Sequence, residues 1–143
     1  MHRAESIMQA VTTKVTGLAT TGARVFRGRV RTIETAPALT VEMGADNVDE
    51  DRSSYPRIRR ELNIKITAHI KNNTDPDSDL NTIREEVYNA LMADRTQGLS
   101  YVIDTESIGD DEPELSGESE KITGSQLMNF VVKYSHSWTD AGA

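Results

Sequence analysis

Four carboxylates near the middle of the chain have the spacing of a calcium-binding loop. With Asp75 as position 1, Asp77, Asp79 and Glu86 fall at positions 3, 5 and 12, where an EF-hand loop carries oxygen ligands. Position 6 should be glycine to allow the sharp turn of such a loop, but here it is Leu80. Capping of a helix that begins nearby accounts for the same acids. A small calcium- or ligand-binding domain is therefore kept only as an alternative.

Residue patterns for other kinds of chemistry are missing from the sequence. The 143 residues include no cysteine, which excludes disulfides, thiolate nucleophiles and cysteine-bound metals. The three histidines, His2, His69 and His136, are scattered, and no two have the i, i+4 spacing of a zinc protease helix. The sequence also contains no nucleophile elbow, phosphate-binding loop or dinucleotide fingerprint. We therefore expect no enzymatic activity and no cofactor.

Charge is distributed unevenly along the chain. The net charge is −7, but residues 1–72 hold 12 Lys+Arg against 8 Asp+Glu, whereas residues 73–143 hold 4 against 15. The halves thus carry +4 and −11, which predicts a molecule with unlike faces unless the halves interleave in the fold. The basic half could meet nucleic acid, a membrane or an acidic protein surface, and an identical neighbour offers such a surface in its own second half.

The basic residues that stand out are all arginines, which pair in bidentate fashion with carboxylates or phosphates. Few aromatic residues lie among them, and the net negative charge of the chain repels phosphate, so the nucleic-acid signal is weak. We predict instead a subunit interface in which Arg27, Arg29, Arg31, Arg57, Arg59 and Arg60 face Asp110, Asp111, Glu112, Glu114, Glu118 and Glu120 of a neighbour.

Hydrophobic periodicity gives the elements that must position these side chains. Residues 62–70 alternate apolar and polar, which is typical of a strand with one buried face. The patterns predict helices over 3–18 and 79–94, strands over 24–32, 38–43, 58–70, 99–108 and 127–138, and acidic loops over 44–54 and 109–123. The helix over 79–94 would be capped by Asp77, Ser78 or Asp79.

This order of elements predicts a single α/β domain spanning residues 1–143. We expect a two-layer sandwich, in which two helices cover one face of a mixed, mostly antiparallel sheet of about five strands. No apolar run approaches the roughly 18 residues that a membrane span needs. A soluble protein made in a reducing cytoplasm, without a membrane partner, fits these features.

The order of motifs resembles the tail terminator proteins (tail completion, minor tail protein U-like) of long-tailed bacteriophages. The resemblance covers nearly the whole chain. The matching segments are the N-terminal amphipathic helix, Arg24–Val30, Pro37–Val41 with Gly44 and the acidic loop after it, Leu62–Ile70, Val87–Leu91, Pro113–Gly117 and Phe130–Tyr134.

The resemblance implies a structural role in the virion, at the junction of tail and neck. Proteins of this family form a ring, usually a hexamer, that caps the finished tail tube, stops its growth and joins it to the head or neck connector. The implied partners are other copies of the chain, the tail tube protein, the connector proteins and, in a contractile tail, the sheath. DNA would be only cargo passing through the lumen. A different neck or head–tail joining protein that contacts the portal is the second alternative.

Overall fold

The computed structural model of the chain describes residues 1–28, 35–73, 75–117 and 122–143. The two helices and six strands follow one another in mixed order along the chain. They are α1 (Arg3–Val15), β1 (Val25–Arg27), β2 (Ala38–Val48), β3 (Arg57–Asn73), α2 (Pro76–Met92), β4 (Val102–Asp110), β5 (Glu114–Ser116) and β6 (Ile122–Ser137).

The six strands form one mixed, mostly antiparallel sheet, which confirms the predicted sheet type. Five of them follow the order β1-β2-β3-β6-β4. Only β1 and β2 run parallel. The short strand β5 pairs with the first residues of β6 and continues β4 along the same edge, after a break at Asp111–Pro113. Strand β4 itself carries two irregularities, between Val102 and Asp104 and between Ser107 and Gly109.

Both helices pack on one face of this sheet and form a single core with it. The even-numbered residues of the two central strands, β3 and β6, point into that core, which confirms the alternation predicted for them. The buried core residues are Ala4, Ile7, Met8, Val11 and Val15 of α1, Leu39 and Val41 of β2, Leu62, Ile64, Ile66, Ala68 and Ile70 of β3, Leu80, Ile83, Val87 and Leu91 of α2, Val102 of β4, and Met128, Phe130, Val132 and Tyr134 of β6.

The prediction of an acidic loop over 44–54 is wrong for the first half of that segment. Strand β2 continues to Val48 and stays paired with β3, after a register shift between Met43 and Asp46. The bulge frees Asp46 from the simple alternation, and its carboxylate accepts a hydrogen bond of 2.6 Å from the Tyr134 hydroxyl. Backbone pairing with β3 and this partly buried hydrogen bond hold residues 44–48, which have no apolar alternation of their own.

The second predicted acidic loop, over 109–123, is also partly strand. Its first residues end β4, residues 114–116 form β5, and its last two residues begin β6. The early start of β6 at Ile122 follows from pairing on both sides, with the end of β3 and with β5. Residues 118–121 lie outside the described part of the chain.

The helix boundaries also differ from the sequence prediction. Helix α1 ends at Val15 and not at residue 18, because the chain turns at Gly17, whose φ is +87°. Helix α2 starts at Pro76, and its N-cap is Asp75, whose carboxylate accepts a hydrogen bond of 3.2 Å from the Ser78 amide. Proline suits the first helical position because the amide hydrogen it lacks would have no partner there.

The sheet face opposite the helices is polar and carries His69. Its ring Nε2 lies 3.2 Å from the Thr40 hydroxyl, and burial lowers the pKa of His69 while the Glu42 carboxylate opposes that shift. A histidine whose folded pKa lies below its unfolded value of 6.5 binds protons more weakly in the folded state. Its contribution to stability is therefore present above pH 6.5 and is lost as the pH falls.

We expect this loss to be measurable in urea unfolding. Lowering the pH from 7.5 to 5.5 should reduce the free energy of unfolding more in the wild type than in His69→Gln, which cannot titrate there. Identical pH slopes for the wild type and His69→Gln would contradict the expectation.

Candidate interaction surfaces

Three of the predicted interface arginines lie together at the start of β3, and we call Arg57, Arg59 and Arg60 the arginine end. The Arg57 guanidinium donates to the Ala143 oxygen at 2.9 Å and to the Ser135 hydroxyl at 3.2 Å. Arg60 is partly buried, and its Nε donates to the Nε2 of His136 at 2.7 Å. The exposed Arg59 guanidinium has no acceptor among the described residues, so it is available for a partner.

Of the other predicted arginines, Arg27 belongs to the described residues and lies on the edge strand β1. Arg27, the last residue of β1, forms a two-pronged ion pair with Glu5 of α1, with distances of 3.0 and 3.3 Å. This contact lowers the pKa of the Glu5 carboxyl. The pair ties the edge strand to the helix layer, so Arg27 already has a partner within its own chain. Arg29 and Arg31 lie outside the described residues.

The predicted acids among the described residues follow the free edge formed by β4, residues 111–113 and β5, which we call the acidic edge. Asp110 is ion-paired with Arg84 of α2 at 2.6 Å, and Asp111 accepts a hydrogen bond of 3.1 Å from Asn129. Glu112 and Glu114 are exposed and have no partner among the described residues. Glu118 and Glu120 lie outside the described part of the chain.

One chain does not bring its free arginine and its free acids together. Arg59 pairs with Ser135 of β6, whereas Glu114 pairs with Ser125 of the same strand. Ten residues of strand separate these positions by roughly 33 Å. The free Arg59 guanidinium and the free carboxylates of Glu112 and Glu114 therefore lie near opposite ends of the sheet, and only a second molecule can pair this arginine with these two acids.

The two halves of the sequence do not interleave strand by strand. The first half supplies β1, β2 and β3, the second half supplies β6, β4 and β5, and the boundary runs between β3 and β6. The charge division seen in the sequence is thus also a division of the sheet. It is incomplete, because a groove beside the arginine end combines Arg52, Arg59 and Lys133 with Asp49, Glu61 and Asp104. Such mixed charge suits a protein partner better than a phosphate backbone.

The aromatic pair Tyr55–Trp138 is a surface feature that the sequence patterns did not single out. Tyr55 precedes β3 and Trp138 follows β6, and their rings meet edge to face with centroids 5.7 Å apart. Both side chains are largely exposed. The sequence does contain one signal for this pair. Trp138 is the single tryptophan of a chain with only 5% aromatic residues, and it lies four residues after Tyr134, the last residue assigned to the core face of its strand.

The carboxylates with calcium-loop spacing are spread along helix α2. Asp75 is its N-cap, whereas Glu86 lies eleven residues further, roughly 16 Å along the helix axis. Glu86 also accepts hydrogen bonds from the backbone and the side chain of Thr20, the former at 2.8 Å. Asp77 and Asp79 lie in the first turn of the helix. Within the described residues no group of three or more histidine or acidic side chains is arranged to hold a metal ion.

No helix in the described part of the chain is both long and apolar enough to cross a membrane.

Among known proteins, the chain is similar only to solved structures. No protein-family model matches the chain, and no curated protein matches its sequence. A chain of the solved structure titled "Virion of native gene transfer agent (GTA) particle" is similar over 92% of this chain and 87% of that one. The two are 9% identical, with a TM-score of 0.48. A likeness of this size assigns no function to the present chain.

Proposed function

We propose that this chain is a structural virion protein of a long-tailed bacteriophage, a tail terminator. It forms a ring that caps the tail tube, ends tube polymerisation and joins the tail to the neck connector. The order of sequence motifs, which resembles that family, supports this role. The proposed work is done by surfaces that fit together, without a catalytic step.

The observation that carries the proposal is the separation of the free charges. The free guanidinium of Arg59 and the free carboxylates of Glu112 and Glu114 lie near opposite ends of one sheet. A closed ring uses a heterologous interface, in which two different patches of each subunit meet on its neighbours. Two unlike patches that cannot meet within one chain are what such an interface requires.

The test has two measurements, the native mass of the purified chain and the length of tail tubes. For a hexameric ring we expect a species of about 95 kDa, six times the 15.8 kDa of one chain. Added to the cognate tail tube protein during polymerisation, the chain should cap the tubes and shorten them, as seen by electron microscopy. A chain that stays monomeric and leaves tube length unchanged would overturn the proposal.

Charge reversal separates the role of the arginine end from a general effect of charge. Arg59→Glu is expected to weaken ring assembly and to reduce its dependence on salt, because it removes an attraction across the interface. Lys65→Glu is the matched control, since it makes the same change at an exposed position near the middle of the same strand. Equal assembly by both variants would remove the arginine end from the interface.

A further inference from the structure

The exposed aromatic pair is held in place by the strands on either side of it. The Trp138 amide donates to the Pro56 oxygen at 2.7 Å, which fixes the end of β6 against the start of β3. Tyr55 remains 74% exposed and Trp138 52% exposed, although their rings already touch. Two rigid aromatic side chains next to arginines are the composition of an interface hot spot, because they bury large area at little cost in conformational entropy.

The acidic edge carries apolar side chains that could fill such a hot spot. Ile108 is 56% exposed and Leu115 is 46% exposed, on either side of the acids from Asp110 to Glu114. Leu115 lies over Gly124 of β6, where a Cβ atom would come within 2.7 Å of the leucine Cδ2. Because Gly124 has no side chain, the Leu115 side chain can pack directly against the backbone of β6 at the sheet edge.

We infer that the Tyr55–Trp138 pair of one copy binds residues 108–115 of the acidic edge of a second copy. The inference rests on the proposed ring and names its contact. The aromatic rings pack against Ile108 and Leu115, while the free Arg59 guanidinium meets the free carboxylates of Glu112 and Glu114. Apolar groups thus meet apolar groups and opposite charges meet.

The occupant is a second copy because this chain carries the complementary segment itself. The aromatic pair lies at the end of the sheet where β3 begins and β6 ends, whereas residues 114–116 pair with residues 123–125 at the other end of β6. A chain cannot fold one onto the other, so the contact is head to tail. Repeated from copy to copy, a head-to-tail contact closes into a ring when its rotation allows.

The test uses two variants, each of which disables one side of the contact. Tyr55→Ala/Trp138→Ala removes the aromatic pair and keeps the acidic edge, whereas Glu112→Lys/Glu114→Lys reverses the acidic edge and keeps the aromatic pair. All four residues are exposed, and thermal melting checks that each variant folds. Each variant alone should associate at least about 30-fold more weakly than the wild type in sedimentation velocity, the loss typical of hot-spot removal.

Mixing the two variants is the decisive step. One variant still offers a working acidic edge and the other a working aromatic pair, so the mixture should give a 1:1 dimer that grows no further. Tyr88→Ala is the matched control, because Tyr88 is 49% exposed on α2 and should leave assembly unchanged. A mixture without dimers, or a Tyr55→Ala/Trp138→Ala protein that assembles like the wild type, would overturn the inference.

These outcomes can be told apart from failure of the proposed function. If the aromatic variant forms normal rings but no longer caps tubes, the pair binds the tube protein, and the inference fails while the proposed function stands. If rings and caps form in every variant, only the inference fails. If the wild type neither assembles nor caps tubes, the proposed function fails as well.

Discussion

Phe130→Ala is expected to lower the free energy of unfolding by about 3–5 kcal/mol, the usual cost of truncating a buried aromatic side chain. Phe130 lies in β6, the strand between β3 and β4, and pairs with Ile64 of β3. Its side chain is buried in the core that the sheet shares with the two helices. Strands on both sides prevent the backbone from closing the cavity, so the lost contacts are not replaced.

Urea unfolding followed by circular dichroism measures this loss. Met43→Ala is the control on strand β2, since Met43 is largely exposed and its truncation should change the free energy of unfolding by less than about 0.5 kcal/mol. A loss below about 1 kcal/mol for Phe130→Ala would mean that the core around β6 repacks, in conflict with the close packing seen between sheet and helices.

Tyr134→Phe is expected to lower the free energy of unfolding by about 1.5–3 kcal/mol, because it removes a hydrogen bond to a charged acceptor. The Tyr134 hydroxyl donates to one oxygen of the Asp46 carboxylate, and the other oxygen of that carboxylate is buried without a partner among the described residues. Loss of the hydroxyl would leave both carboxylate oxygens without a protein partner. In an Asp46→Asn background the same change should cost less, since no buried charge remains.

The same contact predicts a decline in stability at high pH. Burial, reinforced by the Asp46 carboxylate, raises the pKa of Tyr134 well above its ordinary value of 10.0. The folded state then holds the phenolic proton more tightly than the unfolded state, so this contribution is complete below pH 10 and is lost as the pH rises above it. Between pH 9 and 11, the free energy of unfolding should decline less steeply in Tyr134→Phe than in the wild type. Equal slopes in the two proteins would show that the pKa of Tyr134 is the same in the folded and the unfolded state.

The regular helices and strands of this fold were predictable because the spacing of their apolar residues follows the buried face of each element. The alternation from Leu62 to Ile70 and the helical spacing of Leu80, Ile83, Val87 and Leu91 each reflect one buried face. The second half of β2 gave no such signal, since residues 44–48 are held by backbone pairing and by the distant Tyr134. Long-range partners of this kind leave no periodic trace in a single sequence.

The interaction surfaces were predictable as charge but not as geometry. Sequence indicated which arginines and acids stand out, yet Arg27 pairs with Glu5 and Asp110 pairs with Arg84, both within the chain. These partners are set by how the helices lie on the sheet, which composition does not encode. The Tyr55–Trp138 contact likewise depends on the antiparallel pairing that places the end of β6 beside the start of β3.

The broken outer edge of β4 and β5 has a consequence for solubility. Two irregularities in β4, the proline at position 113 and the acids along the edge interrupt the ladder that a foreign strand would need. The edge therefore resists open-ended growth of cross-β fibres at high protein concentration. A subunit proposed to end the growth of the tail tube is thereby protected from forming fibres with other copies of itself.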